Sequence, residues 1–341
     1  MTTQKPQTQT WWAERAAVIR QYDEMESRLT ASVSERMLDL AGIRPGMRVL
    51  DVASGMGEPS LRAAQRVGPS GFVLGTDLSD EMLEAAREKA RALALSHIEF
   101  RVADAETLEV PEQSFDAATV RWALMYMRRP EQALERLWRA LRPSGLLVCA
   151  CWGAPEQVEY ASLTRQCLSR YRPLPPVEPD APSVYRFSDP ERLRPLLTRS
   201  GFTLEHAESM HVPVMEAEDG AGVVRWLRDL GGSRWKLVEE LPPEARRAWE
   251  EDVARESERH RVGDKVQLGG VTWLVVARRY GIGAVALGGG PDAVRGAAAK
   301  DTRDALLDGP HTGRRVDGCL ERGAAGQDER IRVRAERRGQ P

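Results

Sequence analysis

Two periods of apolar residues take turns along the chain. Short apolar runs at 49–52, 72–76, 98–102, 114–120 and 146–152 read as strands. Between them, stretches at 59–67, 80–94 and 131–141 place apolar residues at helical spacing, with Leu134, Leu137, Trp138 and Leu141 making one stripe. Ser79 is a natural N-cap for the helix at 80–94, and Arg44-Pro45-Gly46 and Pro143-Ser144-Gly145 are turns into strands. Two further helices, 11–22 and 34–41, precede the first strand. Strands alternating with helices over about 110 residues imply an α/β fold built on a doubly wound parallel sheet. On such a sheet a ligand lies at the carboxyl ends of the strands, beside the first one.

Past residue 152 the pattern loosens. A helix at 155–170, a proline-rich loop at 173–182, a helix from Pro190 to Arg199 capped by Ser188 and Asp189, and a strand at 203–215 are expected. Residues 220–261 read as helical and carry Trp226, Trp235 and Trp249, before a last strand at 271–277. After Tyr280 no Phe, Trp or Tyr recurs, while Gly, Ala and Arg dominate. Such a stretch cannot bury enough apolar area to offset its ordering entropy, so 281–341 is read as a disordered tail. With 1–10 also read as disordered, the folded domain is expected over 11–280.

The chemistry concentrates in the stretch from Met47 to Ser60. Val49, Leu50 and Val52 stop abruptly at Ala53, Ser54, Gly55, Met56 and Gly57, and Pro59 opens a helix. Small residues there let backbone amides approach a ligand at a helix end that favours negative groups. A Gly-x-Gly loop after a strand is shared by nucleotide, flavin and nicotinamide sites, so the neighbours decide. Ser60 stands where a dinucleotide fingerprint wants Gly or Ala, and Asp51 would repel a pyrophosphate. The same carboxylate suits a ligand with an ammonium and a sulfonium, and S-adenosylmethionine has both, with a carboxylate for the loop amides. Asp77, followed by Leu78, ends the second strand where a ribose diol would lie. Asp104 and Ala105 follow the third. The 53–57 loop, Asp77 and Asp104 thus fall at the carboxyl ends of successive strands.

Residues 49–57 resemble the first motif of the class I S-adenosylmethionine-dependent methyltransferases, departing in Ala53 and Ser54, where Gly and Cys or Thr are usual. The segment Arg121-Trp122-Ala123-Leu124-Met125-Tyr126 resembles the Arg-Phe-Gly-Leu-Met-Phe pattern of a bacterial branch related to ubiquinone and menaquinone biosynthesis methyltransferases. The resemblance implies a seven-stranded, mostly parallel Rossmann-like sheet, N-terminal helices that close over cofactor or substrate, and a helical lid at about 220–261. It implies that Asp104 accepts a hydrogen bond from the adenine amino group, that the Ala105 amide reads a ring nitrogen, and that Arg121 borders the methionine moiety. Trp122, Met125 and Tyr126 would face the acceptor, joined by Trp226 from the lid and Tyr22 from the first helix. Core packing is the alternative for each, and for Trp11, Trp12 and Tyr22 packing against the sheet is the preferred reading.

Composition narrows the classes. A formal net charge of −2 over 341 residues offers no field to hold nucleic acid or an anionic membrane. Nor does 120–123, Val-Arg-Trp-Ala, resemble the Asp/Asn-Pro-Pro-Tyr or Pro-Cys segments of nucleic-acid methyltransferases. Four cysteines and five scattered histidines show neither a disulfide framework nor zinc spacing, so no metal is expected. With no run near about 18 apolar residues, no membrane span is expected and the protein is read as cytoplasmic. The partner is a small-molecule acceptor, and the oligomeric state stays open, a homodimer among the options.

Methyl transfer from a sulfonium needs alignment and exclusion of water, and a base only for a weak acceptor. Tyr126, His206 and His211 are the candidates for a base or orienting group; the two histidines, five apart on a strand, face opposite sides. The expected activity is methylation, at carbon or oxygen, of a small, largely apolar acceptor in quinone-like, polyketide, terpenoid or other specialised biosynthesis. A non-methylating member of the fold that keeps the cofactor for a rearrangement or for binding, and a nicotinamide-dependent oxidoreductase, are the alternatives.

Overall fold

Val49, Leu50 and Val52 are shut off from water on both faces of the sheet, and their strand, β1 (Arg48–Val52), lies near its middle. The computed structural model describes residues 7–280 except 177, 179 and 232; side chains of 7–14, 233 and 234 fall outside that description. The stretch 281–341, read above as a disordered tail, also lies outside the described residues.

Strand β1 pairs in parallel with β2 (Phe72–Asp77) and β4 (Phe115–Arg121). Beyond them β3 (Ile98–Val102) flanks β2 and β5 (Leu141–Trp152) flanks β4, also in parallel. The sheet closes with β8 (Lys265–Arg279) antiparallel to β5 and β6 (Phe202–Ala217) antiparallel to β8, in the order β3-β2-β1-β4-β5-β8-β6. The doubly wound, mostly parallel sheet is as the sequence reading has it. An eighth strand, β7 (Arg261–Val262), pairs with β8; two residues carry no period from which to read it.

Helices α3 (Ser60–Val67), α4 (Asp80–Ala92) and α5 (Pro130–Ala140) make the crossovers. In α4 the Ser79 hydroxyl accepts the Met82 amide at 3.2 Å, with Asp80 and Glu81 in the first turn and Lys89 and Arg91 in the last, complementing the helix dipole. The chain opens with α1 (Gln7–Leu29), which starts inside the stretch read as unstructured and runs past Tyr22, and α2 (Ala31–Leu40).

What carries a second helical layer past the carboxyl edge is the length of two strands. β5 pairs with β8 only up to Trp152↔Thr272, whereas β6 and β8 stay paired as far as Ala217↔Val266. Their ribbon therefore projects past the ends of the parallel strands. Helices α6 (Glu159–Leu168), α8 (Gly220–Leu230), α9 (Ser233–Glu239) and α10 (Pro243–Ser257) close a second core on it, built from Leu163, Met215, Val223, Trp249, Val253 and Leu268. Gly220 lets α8 meet α10, because a Cβ there would lie 2.0 Å from the Ala254 carbonyl oxygen. On the other side of the ribbon's base, α7 (Pro190–Arg199) starts with the Asp189 carboxylate accepting the Glu191 amide at 2.9 Å, the cap read from sequence.

Candidate functional site

Backbone strain marks where the chemistry lies. Ala53, directly after β1, and Trp122, directly after the neighbouring β4, both take left-handed backbone angles, with φ of 59° and 53°. Side chains rarely adopt that region, and residues that do cluster at ligand sites. Gly57, at φ 106°, continues the turn; a Cβ there would come within 2.8 Å of Leu61.

The loop between them is braced from inside. The Ser54 amide donates to the Thr76 carbonyl at 2.9 Å, the Gly57 amide to the Ser54 carbonyl at 2.8 Å, and the Gly55 amide to the Asp77 carboxylate at 2.9 Å. Three amides that sequence reading offered to a ligand carboxylate are thus engaged by the protein. The Ser54 hydroxyl is different: it is 2% exposed and has no partner among the described residues. A buried polar atom without a partner is costly and calls for a ligand or water.

Asp51 does not line this space. Its side chain is fully buried, accepting from the hydroxyls of Ser60 and of Thr119 (2.7 Å), and desolvation pushes its carboxyl up to about 6. This corrects its reading as a ligand contact: it ties β1 to β4 and to the start of α3 beneath the loop.

Asp77 and Asp104 stand side by side at the same edge, because the Ala103 amide donates to the Asp77 carbonyl at 2.9 Å. The Asp77 carboxylate accepts the Gly55 amide and, at 3.0 Å, the Ser79 amide; burial raises it while these amides pull the other way. The Leu78 amide acts on it in the same sense, and three such donors still leave a carboxylate, with about four lone-pair sites, room to accept from a diol. Leu78 lies half-buried between Asp77 and the cap of α4. Asp104 caps the single turn Ala105–Thr107, accepting the Glu106 amide at 2.9 Å.

Over the loop lies α1. Ala16 and Ile19 pack on Met56, Met82 and Ala85, and Asp23 pairs with Lys89 at 2.5 Å while the Lys89 ammonium donates to the Met56 carbonyl at 3.0 Å. Farther along the same helix the Tyr22 hydroxyl donates to Asp229 of α8, and Arg15 donates to the Leu230 carbonyl at 2.9 Å. Tyr22 thus joins the second core instead of packing on the sheet, a correction to the preferred reading; the side chains of Trp11 and Trp12 lie outside the described residues. Arg121 reaches up to this layer, donating to Thr30 Oγ1 at 2.8 Å and stacking 4.8 Å from the Trp122 ring centroid.

On the acceptor side the aromatic residues form a row. Trp122 stacks on Trp152 at 4.6 Å and 12°, Trp152 meets Tyr160 edge-on at 5.3 Å, and Tyr160 meets Trp226 at 6.5 Å. The Trp122 indole is fixed by donating to Thr272 Oγ1 at 2.8 Å. Tyr126 is half-buried in the turn Leu124–Tyr126. Two expected acceptor contacts are corrected: Met125 is wholly enclosed in the main core, and Trp226 is closed into the second core.

The two histidines are not brought to this site. Both sit exposed on β6, the edge strand, His206 against Glu208 at 2.8 Å and His211 against Glu159 at 3.2 Å. β6 lies three strands from β4, roughly 14 Å in the ladder direction, because neighbouring strands are about 4.8 Å apart. What sequence reading missed is on α1: Asp23 and Glu26 are spaced three apart, and beside Ile19 that spacing was the available signal. Burial raises the Glu26 carboxyl and Arg121 opposes it. Among the described residues no group of His, Cys, Asp and Glu could hold a metal ion, and no helix is long and apolar enough to cross a membrane.

Comparison with known proteins returns the same part of the chain. Residues 43–174 match a family described as a methyltransferase domain. The ubiquinone/menaquinone biosynthesis C-methyltransferase UbiE of Edwardsiella ictaluri is 31% identical over 175 residues, 48% of this chain and 70% of that protein. Its counterpart in Ectopseudomonas mendocina is 33% identical over 144 residues, 41% of this chain and 56% of that one, so the chain spans little more than half the length of that relative. Among solved structures the [4+2]-cyclase SpnF aligns at 23% identity with a TM-score of 0.47, covering 73% of this chain and 81% of that one.

Proposed function

Since the chain belongs to the class I S-adenosylmethionine-dependent methyltransferases, in the branch that includes the UbiE enzymes, we propose that it methylates, at carbon or oxygen, a small and largely apolar acceptor. S-adenosylmethionine supplies a methyl group on a positively charged sulfur, which leaves as a neutral thioether when an electron pair of the acceptor takes the methyl and the acceptor's displaced proton passes to solvent. The observation that carries the reading is the convergence of the orphaned Ser54 hydroxyl, Asp77 and Asp104 on one sheet edge beside two strained residues.

In this reading Asp77 accepts from the ribose diol and Leu78 lies against the adenosine. Asp104 and the Ala105 amide take the adenine, while the 53–57 loop and Arg121 border the methionine end. Chain residues do the remaining work by exclusion: α1 covers the loop, and the half-buried Trp122 and Tyr160, both packed on the buried Trp152, offer an apolar flank on which a flat or greasy acceptor loses little by leaving water. Where the acceptor needs a base, the reading assigns that part to Tyr126, four residues after Trp122, in place of the two histidines on β6. The apolar flank and the relatives named for quinone biosynthesis support an acceptor of that chemical character.

Titration calorimetry with S-adenosylmethionine tests the cofactor half, and absence of heat at millimolar ligand overturns it. Asp77→Ala should weaken binding by about 1–3 kcal/mol, the scale of a lost hydrogen bond to a charged group; unchanged affinity removes the ribose assignment. Transfer of labelled methyl to quinol-like and other apolar acceptors tests the rest. Binding without transfer to any of them favours the non-methylating alternative.

A further inference from the structure

We propose that Glu26, presented by α1 above the 53–57 loop, is the counter-charge to the sulfonium of the methyl donor, and that it makes the site prefer the donor over its neutral product. This rests on the S-adenosylmethionine-binding reading above. A site for a cation needs a carboxylate, and the carboxylate that sequence reading assigned to that task is unavailable to a ligand. Asp51 is sealed beneath the loop with hydroxyls on both oxygens.

The other acids around the loop are also committed. Asp77 braces Gly55 and Ser79 at the end of β2, Asp104 caps a turn at the end of β3, and Asp23 pairs with Lys89. Glu26 is not. Its carboxylate takes no hydrogen bond and no ion pair among the described residues; the residue is half-buried, and partial loss of water raises the carboxyl. The cations that act on it are Arg121 and Lys89, and both are held elsewhere: Arg121 by Thr30 and the Trp122 ring, Lys89 by Asp23 and the Met56 carbonyl. A half-buried carboxylate with no hydrogen-bonding partner is free to take a ligand cation, and the cation gains most where water is partly withdrawn.

One feature besides Glu26 points to a ligand here, and a second fixes the helix that carries Glu26. The packing of Ala16 and Ile19 on Met56 and Met82 fixes α1 over the loop, and the Ser54 hydroxyl in that loop is buried and unpartnered. Once the methyl is transferred, the sulfur is neutral and the carboxylate loses its partner. The product should therefore be held less tightly than the donor.

The test is calorimetry with S-adenosylmethionine and S-adenosylhomocysteine, which share every group except the methyl and the charge on sulfur. Wild type should bind both. Glu26→Gln should weaken the donor about tenfold or more and the product less than about threefold, while Glu24→Gln, at an exposed position of the same helix, should change neither. The ligand-free Glu26→Gln protein should melt no lower than wild type, since the half-buried carboxylate makes no hydrogen bond or ion pair among the described residues that the amide would lose. Equal losses for both ligands, an unchanged donor-to-product ratio, or a lowered melting temperature without ligand overturns the assignment to sulfur and leaves cofactor binding intact. Failure of wild type to bind either compound overturns the cofactor reading as well.

Discussion

The parallel half of the sheet and the ribbon with its helices are built on different terms. The strands from β1 to β5 follow one another through short crossovers that decide their neighbours in space, and β1, β2 and β3 run into small or acidic residues. The ribbon of β6 and β8 pairs strands about fifty residues apart in sequence, and its second core draws on α6, α8, α9, α10 and even Tyr22 of α1. The first half holds fixed groups at a strand edge, and the second builds a separate core on strands that run past that edge. Fixed geometry is local in sequence, whereas the second core is not.

The largest break in that contrast should come from Trp249→Ala. Trp249 is 2% exposed at the centre of the second core, so the variant should lose about 3–5 kcal/mol, read by denaturant unfolding. Hydrogen exchange should show the loss in α8 and α10 while amides of β1, β2 and β4 stay protected; loss of protection in both at once would mean that the two halves unfold as one.

A smaller effect belongs to the buried strut of the parallel half. Asp51 has its carboxyl raised from 3.8 to about 6, so the folded state holds a proton there that the unfolded chain has already released. Its contribution to stability is present below about pH 4 and is lost as pH rises to about 6, by up to about 3 kcal/mol. Asp51→Asn should remove that slope, since hydroxyls can turn to donate to or accept from an amide. A wild-type stability flat between pH 4 and 6, or a variant with the same slope, would contradict the assignment. The smallest effect concerns a tie between the halves: Tyr22→Phe removes one hydrogen bond to Asp229 and should cost about 1 kcal/mol or less, read as faster cofactor release with little change in melting.

The sequence exposed most of the parallel half, down to the Ser79 cap and the acids at the ends of β2 and β3, because those features depend on residues a few positions apart. It misassigned Asp51, Met125 and Trp226, which share the residue types of ligand contacts but not their exposure. It also offered His206 and His211, whose chemistry is suitable but whose strand is at the wrong edge. Chemical type is written in the chain; depth and distance are not.

By itself the sequence determined the alternation of strand and helix, the small-residue turn after β1, and the acids that end β2 and follow β3, because period and punctuation act over one element at a time. Only the tertiary structure decided that Asp51 points into hydroxyls, that the β6–β8 ribbon outruns β5, and that Ala16 and Ile19 of α1 pack on Met56 of the loop. Those outcomes depend on which surfaces meet across more than a hundred residues of chain, and burial and charge pairing are settled only when they do.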